Sequence, residues 1–191
     1  MSHHFPESRS IFVARVAILS ALVVVFDYTM KFSGWKIPFP WLPFLRFDFT
    51  GIPIVLSFLL LGLTSGATTS SVAFIAILVR SGKPVDALMK AMAEFSTVLG
   101  MALGLRFKKI EKPASYVLGI ASRVLVTTLA NLVVLPSYQG MPFELTVQLS
   151  PLLGAFNVLQ GSLSILGGYV IYEALIRRIP SLVTRKLTTQ T

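Results

Sequence analysis

At 191 residues the chain carries 17 Lys and Arg against 8 Asp and Glu, for a formal net charge of +9, yet 54% of it is hydrophobic, only 13% is charged, and mean hydropathy is +0.76. Such a composition excludes a soluble domain of this size and describes an integral membrane protein, read here as one domain over residues 1–191. With no cysteine, and with His3 and His4 both in the amino-terminal tip, the chain excludes disulfides, thiolate nucleophiles, Cys-ligated metal and imidazole catalysis within the membrane.

Cutting the apolar runs at proline, glycine and charge clusters predicts an all-α bundle of six spans, at about residues 10–28, 50–63, 65–80, 84–105, 114–135 and 151–176. The opening MSHHFPESRS has no charged n-region or cleavage site, so the first run reads as a retained helix. Within it Ala17 and Ala21 form a small-xxx-small pair, with Ala14 near the same side, which lets another helix approach closely.

Residues 31–53, KFSGWKIPFPWLPFLRFDFTGIP, separate the first two spans. Prolines 38, 40, 43 and 53 forbid a continuous helix and bias the residues before them toward extended backbone. Trp35, Phe39, Trp41, Leu42, Phe44, Leu45, Phe47 and Phe49 stand between them, more apolar surface than a solvated connector carries. Two readings fit: an aromatic belt at the headgroup level, or a stiff lid over the mouth of the bundle. Asp48 is placed to cap the second span. That span is short for a bilayer of roughly 30 Å, and it forms a tight hairpin with the third.

Lys and Arg accumulate on one side, at Arg9, Arg15, Arg106, Lys108, Lys109, Lys112, Arg177, Arg178, Arg185 and Lys186, and are fewer on the other, at Lys31, Lys36, Arg46, Arg80 and Lys83. The excess predicts that both termini are cytoplasmic. The strap, the turn at 81–83 and a loop at 136–150 then share the outer face. Because the charges fall at membrane edges, with no base-stacking platform, nucleic acid is excluded as a partner.

Helical rise then gives depth. Lys90 and Glu94 fall about 9 and 15 Å below the outer start of the fourth span, Asn131 about one turn below Leu135, and Asn157 and Gln160 about 9 to 14 Å below Pro151. Lys90 and Glu94, at i and i+4, read as a helix ion pair, and Asn157 and Gln160 as interhelical hydrogen bonds. Their common depth also reads as the polar layer of a small-molecule pocket under the strap. Arg123, near mid-span, pairs with a carboxylate or snorkels.

With strap, layer and stripe in place, the sequence resembles the substrate-binding S component of energy-coupling factor (ECF) vitamin transporters, riboflavin type. The resemblance rests on PWLPFLRFDFTGIP at 40–53, NLVVLPSY at 131–138, FNVLQG at 156–161 and the Ala17/Ala21 pair. It implies a multi-pass protein of the prokaryotic plasma membrane that is not an enzyme and has no cofactor of its own. Riboflavin, or FMN, would be the transported ligand, taken up from outside with a transmembrane coupling subunit and two cytoplasmic ATPases. By the same resemblance Trp41, Leu42, Phe44, Glu94, Asn131, Asn157 and Gln160 contact substrate, while Ala17 and Ala21 meet the coupling subunit. Gly51 stands where the riboflavin type carries Asp, and Gln160 where it carries Lys. The alternatives are another vitamin, such as thiamine, pantothenate or a pyridoxine-like compound, and a membrane-embedded enzyme built on Glu94, Lys90 and Arg123.

Overall fold

The computed structural model describes residues 9–179, so His3, His4, Arg185 and Lys186 lie outside the described residues. Helix α1 (Arg9–Phe32) leads into a two-stranded hairpin, β1 (Ile37–Phe39) and β2 (Leu42–Phe47), which is followed by α2 (Gly51–Leu61), α3 (Leu63–Ser81), α4 (Pro84–Gly104), α5 (Glu111–Gln139) and α6 (Phe143–Arg178).

The strap is therefore an antiparallel hairpin, with Ile37 opposite Phe47, Pro38 opposite Arg46, and an irregularity between Pro38 and Phe39. Extended backbone is what the prolines favour, and a short two-stranded ribbon tolerates the amide hydrogens they lack. Pro40 opens the tight turn, where its fixed φ is already suitable. Asp48 closes the hairpin differently from the expected helix cap. Its Oδ1 accepts the Thr50 amide N–H at 3.1 Å, a local turn just ahead of α2, and no side chain caps the helix itself.

Helix α2 sits in the middle. All of its residues but Ile52 are buried, and it packs against α1, α3, α4 and α6. A helix apolar on every side belongs in a core. At 11 residues it is about 16 Å long, half the hydrocarbon thickness, whereas the other five helices are long and apolar enough to cross. Gly62, at φ 93°, turns the chain straight into α3, a reversal that an L side chain resists.

Three boundaries of the fifth and sixth spans move. Helix α5 runs through Pro136 to Gln139 and stops at Gly140, whose positive φ lets its own N–H and that of Met141 both reach the Leu135 carbonyl. Helix α6 begins at Phe143 rather than Pro151, so the expected 136–150 loop is a turn of three residues, 140–142, between two long helices. One proline costs a helix a single hydrogen bond and some bending, which long flanking helical runs absorb. The fifth span likewise starts at Glu111, because Pro113 occupies a first turn whose amides need no helical partner.

Candidate functional site

A core of Phe39, Leu42, Leu135, Leu153 and Phe156 seats the hairpin on the ends of α5 and α6. Phe156 stacks obliquely with Phe39 and Phe47 at centroid distances of 5.6 and 5.0 Å. Beside this aromatic seat opens a cavity of about 440 Å³, walled by the hairpin and α4, α5 and α6, a size usual for small-molecule sites. Its apolar wall includes Phe44, Val134, Leu135, Leu153 and Phe156, and its polar lining includes Asn131, Asn157, Gln160, Arg123 and Lys90.

Of the residues expected at the site, Phe44, Asn131, Asn157 and Gln160 line this cavity. Trp41 does not; it is 67% exposed at the hairpin tip, its ring 5.1 Å from that of Phe39 between centroids. Leu42 is buried in the seat beneath the hairpin, and Glu94 is fully buried outside the lining.

Glu94 belongs to a chain of alternating charges. Arg80 Nε lies 2.6 Å from Asp27 Oδ2, and Lys36 Nζ bridges Asp27 Oδ1 at 3.1 Å and Asp48 Oδ2 at 3.7 Å. Lys90 Nζ continues it, 2.8 Å from Asp48 Oδ1 and 2.9 Å from Glu94 Oε1, and Arg123 Nη1 ends it 3.2 Å from that same Glu94 oxygen. Burial by itself would raise the Asp48 pKa, but Lys90 and Lys36 outweigh it and bring it down to about 2. A lowered carboxylate pKa stabilises the fold above its unfolded value near 3.8, and that contribution fades only as pH falls toward 2. The hairpin is thus held by charge at both roots, through Lys36 before β1 and Asp48 after β2.

The amides divide into two kinds. Gln160 is spent on the hairpin root: its Nε2 donates to the Asp48 carbonyl at 2.7 Å, and its Oε1 accepts the Asp48 amide N–H at 3.2 Å. Asn157 accepts from Arg123 Nε at 3.3 Å and donates to the Leu153 carbonyl at 2.9 Å. Asn131 has no side-chain hydrogen bond among the described residues, so its donors and acceptor face the cavity unspent. Gly51 is fixed by crowding, since a β-carbon there would strike Ser164 Oγ and Glu94 Oε2. A larger residue would push α2 off this floor.

Sequence reasoning leaves two parts of this arrangement undetermined. Arg123 pairs with a carboxylate, one of its two expected readings, but its place in the lining emerges only from the fold: with Thr127 and Asn131 it repeats every four residues along one face of α5, and all three line the cavity. Lys36 counts in the sequence only as one of the outer-face cations, and only the folded chain shows it paired with Asp27 and Asp48. Ala14, Ala17 and Ala21 are exposed on α1, beside Ile18 and Val25 at 69% and 56%, so the small-residue stripe is available to another helix.

Residues 12–183 match the family model for the substrate-specific component of ECF transporters. A solved structure of the S component of a bacterial ECF transporter is similar to this chain, with a TM-score of 0.71 at 22% identity, covering 93% of this chain and 100% of that one. At that identity the likeness concerns the fold. No curated protein matches the chain.

Proposed function

The chain belongs to the substrate-specific components of ECF transporters, a multi-pass membrane protein, and from that premise we propose that it binds a flavin, riboflavin or its phosphate ester FMN, from the outer face and releases it inward. A coupling subunit docked on Ala17 and Ala21, with two ATPases, would supply the energy. The single observation that carries the reading is the cavity itself, with a wall of Phe44 and Phe156 beside the unspent amide of Asn131. A flat ring system buries well against aromatic and aliphatic side chains, and a uracil-like edge needs the paired donors and acceptors an amide offers. Trp41, Leu42 and Glu94 serve in this reading as hairpin tip, hairpin seat and cavity foundation, and Asn157, engaged at both ends of its amide, keeps only its second N–H and an oxygen lone pair for a ligand.

Protein purified in detergent should quench the fluorescence of added riboflavin, or be yellow as isolated. A folded sample doing neither removes riboflavin, and a competition panel of thiamine, pantothenate and pyridoxine then decides among the alternatives. Asn131→Ala is expected to weaken binding by about tenfold, the worth of a well-placed hydrogen bond or two, without changing helix content.

Gln160→Ala should weaken binding to a similar extent, about tenfold, by freeing the hairpin root. Amide exchange at residues 48–50 should then quicken as well. If affinity falls while exchange there stays slow, Gln160 acts on the ligand directly rather than through the hairpin.

A further inference from the structure

The charges around the cavity do not balance. Arg46, Lys83, Lys90 and Arg123 line it against Asp48 and Asp86, and Glu94 lies beneath. Asp48 and Glu94 are already committed to Lys36, Lys90 and Arg123. Arg46, on β2, and Lys83, at the turn between α3 and α4, are exposed and have no ion-pair partner among the described residues. Deeper in, Arg123 uses Nε and Nη1 on Asn157, Thr97 and Glu94, while its Nη2 has no partner among the described residues. Asp86 on the same rim is likewise without an ion-pair partner among the described residues and offsets one of these charges, so the lining keeps an excess of positive charge, which attracts a counter-charge.

We infer that the ligand carries an anionic group, a carboxylate or a phosphate, and that Arg46 and Lys83 hold it at the cavity mouth. This rests on the cavity being the substrate site, and it narrows the class of substrate. Arginine offers a planar fork matched to either anion, and lysine adds a mobile point charge. Arg46 rides on the hairpin and Lys83 on the helical bundle, so one shared anion ties cover to frame. In the empty site the two cations gain nothing from approaching each other. A ligand with an apolar body and an acidic end would therefore close its own lid, whereas the same body without that end would not.

The test compares riboflavin with its phosphate ester, FMN, by fluorescence titration of the full chain. FMN is expected to bind about tenfold more tightly than riboflavin. That margin should shrink as sodium chloride rises and fall to about one in the double variant Arg46→Gln/Lys83→Gln. Equal affinities in the native chain, or a margin that the double variant leaves intact, overturns the inference. Should neither flavin bind, the riboflavin reading fails on its own. The anion inference is then read from inorganic phosphate, compared with chloride at matched ionic strength. Phosphate is expected to raise the melting temperature of the native chain and not of the double variant. No rise in the native chain, or the same rise in both, overturns it.

Discussion

Glu94→Ala is expected to destabilise the bundle by about 3 to 5 kcal/mol, the usual cost of removing one partner from a buried ion pair. Glu94 is fully buried and its Oε1 faces both Lys90 and Arg123. Lys90 would keep Asp48, but Arg123, 2% exposed, would keep only the neutral oxygens of Thr97 and Asn157. The penalty is thus that of a guanidinium stranded away from water. Thermal unfolding in detergent reads it directly. Glu94→Leu/Arg123→Met, which removes both charges, should recover much of the loss, because deleting a whole buried pair is commonly close to neutral. An unchanged melting temperature in Glu94→Ala would mean that water reaches Arg123 from the cavity.

Bulky replacements at Ala17 or Ala21, such as Ala21→Trp, are expected to leave ligand affinity within about twofold and to reduce uptake by the assembled transporter to background. Both alanines are exposed and lie outside the cavity lining, so binding has no reason to change. Close helix approach depends on small side chains, and an indole on this face would hold a partner helix several ångströms away. Uptake assays in cells or proteoliposomes containing the partner subunits, paired with binding to the isolated chain, separate the two effects. Weakened binding with uptake retained would reverse the assignment of the two faces.

Much of this architecture was legible because bilayers simplify the code. Long apolar runs broken by proline, glycine and charge can be little else than membrane helices, and the five long helices appear close to where composition placed them. What misled was punctuation. Pro136 and Pro151 signal helix ends in an isolated segment, yet inside α5 and α6 each costs one hydrogen bond, and the actual stop is Gly140. The depth estimate inherited that error, since α6 starts eight residues before the assumed boundary at Pro151. The layer nevertheless converged because Asn157 and Gln160 share a face whatever the starting point.

The cavity was only half readable. Asn131, Asn157 and Gln160 follow from helical rise and spacing, whereas Phe44 is reached only through the family resemblance. Which amide is free and which is spent does not. Gln160 binds backbone 112 residues away, a pairing that no local pattern encodes. Trp41 shows the converse limit: strand alternation and an irregular register decide which aromatic faces inward, and neither could be fixed before the hairpin pairing was known.

The central position of α2 bears on how the protein is made. It is too short to cross a bilayer unaided, and one side of its berth is supplied by α6, which follows it by more than eighty residues in the chain. Residues 51–61 must therefore wait, incompletely sheltered, until α6 has been made, and a nascent chain arrested before α6 would present an exposed apolar stub to the membrane's quality-control proteases.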